Sequence, residues 1–124
     1  MNIALIVLAL GMQNGPPVIV SFEDERMNIV AQDIRSLANY SVHCKSALPP
    51  EMQDRVEKLR TNQDSVEGFD GILTSIFNNA YEISLTQDPP PEATSETCVR
   101  MLSHVEARVR QTLAQYARIK AEDQ

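Results

Sequence analysis

The chain has 124 residues, 43% hydrophobic and 5% aromatic, with 11 Lys and Arg against 17 Asp and Glu for a formal net charge of -6. A chain this long can bury roughly two-thirds of its unfolded surface, enough for one core, and this composition excludes a disordered or low-complexity class. The acidic balance argues against nucleic-acid binding, which needs a basic face, and two cysteines are too few for a disulfide-dense miniprotein or a four-Cys zinc site.

Residues 1–22 carry no charged side chain. The apolar run from Ile3 to Leu10, closed by Gly11, rises about 1.5 Å per residue as a helix and cannot cross a hydrocarbon core about 30 Å thick. No integral membrane segment is expected. The run matches the apolar heart of a secretory signal, with Ala9-Leu10-Gly11 placing small residues at a cleavage site, although the positive n-region is missing. Residues 1–20 therefore read as a signal-like leader and Pro-containing linker. The competing reading is a buried first strand or helical turn of a cytosolic domain. Asn14-Gly15-Pro16-Pro17 is a strong breaker, and Val18-Ile19-Val20 favours extended backbone but is too short to imply a sheet. A single helical domain is expected over 21–124.

Four helices follow in chain order. Ser21-Phe22-Glu23-Asp24 predicts a helix start, a hydroxyl cap followed by acids over the first-turn donors. Met27, Val30, Ile34, Leu37, Ser41 and Cys44 then alternate spacings of three and four, which defines one face. Leu48-Pro49-Pro50 stops that helix, and a proline opens a short amphipathic second one with Met52, Val56 and Leu59 on its apolar side. Asp64 or Ser65 is expected to cap the third helix, which carries Phe69, Leu73, Ile76, Ala80 and Ile83, with Gly68 and Gly71 weakening its first turns. Asp88-Pro89-Pro90-Pro91 reads as a stiff link. Thr94 or Ser95 caps the fourth helix, whose stripe is Cys98, Leu102, Val105, Val109, Leu113 and Tyr116.

Short connections make consecutive helices antiparallel, so the predicted fold is all-α, an up-down-up-down four-helix bundle. The end of helix one and the start of helix four then share one end of the bundle, which brings Cys44 to Cys98. A disulfide there would close a loop of about 55 residues, worth roughly 4 kcal/mol in the chain-entropy model. It would also imply an oxidising compartment, periplasmic or secreted. Two free buried thiols are the competing reading.

No motif supports an enzyme. His43 and Cys44 with Cys98 and His104 lack zinc-finger spacing, and a Cys-His nucleophile would have no orienting third group. Asp64, Glu67 and Asp70 fit no calcium-loop register. No phosphate loop, dinucleotide fingerprint or nucleophile elbow is present, so neither metal nor cofactor is expected. Charge is segregated instead. No Lys or Arg lies between Arg60 and Arg100, whereas helix four carries Arg100, Arg108, Arg110, Arg118 and Lys120. The plain explanation is acidic helix three lying beside basic helix four, with weak solvated pairs. The functional one is an acidic surface of Asp64, Glu67, Asp70, Glu82 and Asp88 for a basic protein partner. Phe77-Asn78-Asn79-Ala80-Tyr81 suggests a hydrogen-bonding cluster or half-exposed packing.

Cys44 ending a helix, Phe-Asn-x-x-Tyr at Phe77, Asn78 and Tyr81, Cys98 opening the last helix, and Leu-Ala-x-Tyr-Ala from Leu113 to Ala117 occur in that order. Over roughly residues 37–118 this order resembles a family of small exported alphaproteobacterial helical proteins of uncharacterised function, whose members usually begin with a fuller signal peptide. The resemblance implies a periplasmic helical domain and no activity. The reading as a whole is an exported, non-enzymatic interaction or ligand-binding module, monomer or homodimer. The alternative is an immunity or inhibitor protein neutralising a basic toxin through its acidic surface.

Overall fold

The structure, a computed structural model, describes residues 5–9, 18–61 and 66–122. Two strands, β1 (Leu5–Ala9) and β2 (Val18–Phe22), precede α1 (Glu25–His43), a single 3-10 turn (Lys45–Ala47), α2 (Pro50–Thr61), α3 (Gly71–Leu85) and α4 (Ser95–Glu122). The domain is helical, and the fold carries the Cys44–Cys98 disulfide expected from the helix positions.

The strand pair is the first difference from expectation. Val18-Ile19-Val20 is short, but it gains a partner in the preceding apolar run: β1 runs antiparallel to it, with Val7 opposite Val20. The expected boundary at residue 21 thus falls inside β2. Because Ser21 and Phe22 are extended, α1 starts later than predicted, and Asp24 rather than Ser21 caps it by accepting from the Arg26 amide at 2.9 Å. Asn28 closes the junction through both of its amide atoms, accepting from the Phe22 N–H at 2.8 Å and donating to the Phe22 carbonyl at 2.9 Å. Phe22 itself is buried in the core.

The predicted α1 face is buried throughout, from Met27 to Cys44, and Ala31, Ala38 and Tyr40 widen it. Ser41 is accommodated there because its hydroxyl donates to the Leu37 carbonyl at 2.7 Å. α3 starts later than predicted. Asp64 and Ser65 lie outside the described residues, and Asp70 caps the helix by accepting from the Leu73 amide at 3.1 Å. Gly68 sits before the helix, not in its first turns, at φ +86°; a Cβ there would come within 3.0 Å of Leu113, so both backbone and space call for glycine. α4 begins as expected, with the Thr94 hydroxyl accepting from the Thr97 amide at 3.2 Å.

The apolar residues form two clusters. The main one joins Met27, Val30 and Ile34 of α1 to Leu73, Ile76 and Phe77 of α3 and to Tyr116 and Ile119 of α4. The smaller surrounds the disulfide with Tyr40, Cys44, Leu48 and Cys98. α4 is therefore tied to α1 along its length. At one end Cys44 bonds Cys98, with 5.4 Å between Cα atoms. In the middle Asp33 accepts from Arg108 at 3.1 Å and Thr112 at 2.7 Å, and at the far end Arg26 forks onto Glu122 at 3.0 and 2.6 Å.

The crosslink spans 54 positions, so replacing both cysteines (Cys44→Ser with Cys98→Ser) is expected to cost up to about 4 kcal/mol. Urea unfolding measures it, and an unchanged midpoint would contradict the assignment.

Candidate functional site

α1 has more surface than its neighbours cover. Opposite its buried arc, Glu25, Ile29, Gln32, Ser36, Asn39 and His43 recur at alternating spacings of four and three; the first four are exposed and the last two half-buried. α3 and α4 both pack on α1 but scarcely meet one another. From Gln32 to His43, a length of about 16 Å, the stripe is therefore the floor of a groove of about 1030 Å³. Asn79, Ala80, Ile83 and Ser84 of α3 form one wall, and Met101, His104, Val105 and Arg108 of α4 form the other. Pro90, Glu92 and Ala93, just before α4, complete the lining.

Polar contacts pin the floor to both walls. Asn39 donates to the Ser84 hydroxyl at 3.2 Å on the α3 side, and Asp33 takes Arg108 on the α4 side. Beneath the disulfide end, the buried Tyr40 hydroxyl donates to the Cys98 carbonyl at 2.6 Å. Burial, reinforced by the charge of Glu106, pushes the Tyr40 pKa up, so the hydroxyl keeps its proton for that bond. Burial also pulls the Arg35 guanidinium below its ordinary range. Both histidines of the chain, His43 and His104, line the groove, and the buried Nε2 of His43 has no hydrogen-bond partner.

The residues singled out in the sequence have other settings. Cys44 and Cys98 are joined to each other, so their sulfurs are neither ligands nor nucleophiles. Among the described residues no three His, Cys, Asp or Glu side chains converge as a metal-holding group. Of the acidic set, Asp64 lies outside the described residues, while Glu67 and Asp88 are exposed. Asp70 faces inward: besides capping α3, it accepts from the Tyr116 hydroxyl at 2.5 Å and from Lys120 at 3.1 Å. Glu82 takes the Arg60 guanidinium of α2. Among the described residues, the pairing expected between acidic helix three and basic helix four is represented by Asp70 and Lys120. The α4 bases reach Asp33 on α1 and Asp70 at the start of α3.

The Phe-Asn-x-x-Tyr segment proves to be a joint between helices. Phe77 is fully buried, with Phe69 edge-on at 6.5 Å. Asn78 accepts from Arg60 at 2.9 Å and donates to the Leu59 carbonyl at 2.8 Å, and the Arg60 guanidinium stacks over Tyr81 at 4.3 Å. Together they hold the end of α2 on α3. Compared with known proteins, the chain matches no family model, no curated sequence and no solved structure. Sequence reasoning missed the groove, although the polar stripe on α1 and the placement of the only two histidines were signals of it.

Desolvation pushes the Asp70 carboxyl up, but the Tyr116 hydroxyl, the Leu73 amide and Lys120 outweigh it and hold the group below the ordinary aspartate range. Its stabilisation is therefore present above the unfolded value of about 3.9 and is lost as pH falls through the lower folded value. Asp70→Asn is expected to cost about 1–2 kcal/mol at neutral pH and to flatten the acid limb of the stability profile. Parallel profiles for the two proteins would contradict this role.

Proposed function

We propose that the protein is an exported, non-enzymatic binding module, periplasmic or secreted, whose ligand seats in the groove over α1. The groove itself carries the reading. It is a concave site of about 1030 Å³ with apolar walls and convergent polar groups, at the upper end of the roughly 300–1,000 Å³ that small-molecule sites occupy. Its sulfurs are joined in the disulfide and its Asp33 carboxylate is taken by Arg108 and Thr112, which favours binding over catalysis. The ties at both ends of α1 and α4 make those two helices antiparallel, as an up-down-up-down bundle requires of the first and last helices.

Export draws its support from the disulfide, which persists in oxidising compartments, and from the uncharged front end. No helix among the described residues is long and apolar enough to cross a membrane. The resemblance to small exported alphaproteobacterial proteins fits the same compartment. An immunity protein presenting Asp70 and Glu82 to a basic toxin draws less support, because both carboxylates are engaged within the chain.

A screen of chemically diverse fragments against isotope-labelled, oxidised protein tests the site. Amide shifts are expected to concentrate on residues 36–43, 79–84 and 97–109. Shifts centred on Glu67 and Asp88, with the groove silent, would contradict the groove reading and favour the acidic surface.

A further inference from the structure

β1 and β2 form a two-stranded sheet, and among the described residues β1 pairs with β2 alone. The two outer edges of this ribbon are not equivalent. Phe22 turns both of its backbone polar groups to Asn28, its N–H donating at 2.8 Å and its carbonyl accepting at 2.9 Å. They therefore point away from Leu5, the residue opposite, which makes Leu5 and Phe22 a non-hydrogen-bonded pair of the antiparallel ladder. The alternation then fixes the rest. Ile6 with Ser21 and Leu8 with Ile19 exchange the ladder bonds, while Leu5, Val7 and Ala9 aim their N–H and C=O groups outward. Asn28 caps the β2 edge where that strand meets α1. β1 carries none of the usual devices that guard an edge, having no Lys, no Pro and a continuous register without a bulge.

We propose that the free edge of β1 is where two copies of this chain join, β1 beside β1 about a two-fold axis, in a sheet of order β2-β1-β1-β2. Charge selects a second copy as the occupant. Every Lys, Arg, Asp and Glu lies in residues 23–124, so two chains of net charge -6 repel across their helices and not across the ribbon. The strand is also self-complementary in that register. Val7 lies opposite Val7 of the second copy and Leu5 opposite its Ala9, so each outward N–H meets an outward C=O. Main-chain bonds supply the affinity, as they do wherever a strand is added to a sheet edge. Two-fold closure ends the assembly at a dimer, because each outer edge is then a β2 strand capped by Asn28. Cleavage at Ala9-Leu10-Gly11 would take this edge away, so the dimer belongs to the chain that keeps residues 5–9. The inference is independent of the groove.

Sedimentation equilibrium of the full, oxidised chain over a concentration series is expected to show a monomer–dimer equilibrium. Hydrogen exchange at the same concentrations is expected to slow at the Leu5, Val7 and Ala9 amides as the dimer fills, and to stay constant at Val18 and Val20, which face outward on β2. Val7→Pro removes one outward donor and leaves the ladder bonds of Ile6 and Leu8. Its dimer is expected to weaken by about tenfold or more, whereas Val7→Ala keeps the N–H and is expected to dimerise like the parent. An unshifted Phe22 amide signal establishes that the ribbon stays docked in the proline variant; if it does not, the exchange pattern of the parent chain decides. A chain that remains monomeric throughout the series overturns the inference. A dimer that leaves the β1 amides exchanging freely overturns it too, as does one that forms equally well in a docked Val7→Pro ribbon.

Discussion

The Cys44–Cys98 bond joins the residue that ends α1 to the first turn of α4 and so sets where the last helix starts. Much else follows from that one covalent tie. It organises a small apolar cluster of its own, in which Tyr40 packs beside the sulfurs and bonds the Cys98 carbonyl. At the other end, Arg26 and Glu122 are both well exposed, and exposed ion pairs contribute roughly 0–1 kcal/mol. The first half of α4 therefore depends on the crosslink, while its second half rests on the main core through Tyr116 and Ile119. α3 belongs to that main core, and the space between α3 and the crosslinked half of α4 is the groove.

What was legible in the sequence was local. Apolar residues at spacings of three and four gave the buried face of α1 and the stripe of α4, and helix ends at Cys44 and Cys98 were enough to pair them. What escaped was decided by pairing between segments. Val18-Ile19-Val20 becomes a strand only because residues 5–9 lie beside it, and that pairing moves the α1 cap from Ser21 to Asp24. Asp70 reads as one acid among several, yet Tyr116 and Lys120, far along α4, turn it into a structural cap and acceptor. The groove is similarly assembled from three helices and the segment before α4, so no single stretch announces it.

The charge segregation along the chain takes a different meaning in three dimensions. Acidic residues between Arg60 and Arg100 are partly engaged with other helices, through Asp70 to α4 and Glu82 to α2. With Arg35 and Arg108 against Asp33 and Glu92, the groove lining is balanced in formal charge where the chain as a whole is at -6. The Phe77–Tyr81 segment, read as a hydrogen-bonding cluster or half-exposed packing, joins α2 to α3 beside the main core.

The crosslink holds the α4 wall of the groove, and the main core stands independently of it. Hydrogen exchange on the native and fully reduced protein, residue by residue, tests it most directly. Reduction is expected to strip protection from Tyr40 to Cys44 and from Cys98 to Val105, while Met27 to Ile34, Leu73 to Phe77 and Tyr116 to Ile119 keep theirs. Uniform loss across all helices, or no change at residues 98–105, would contradict the account.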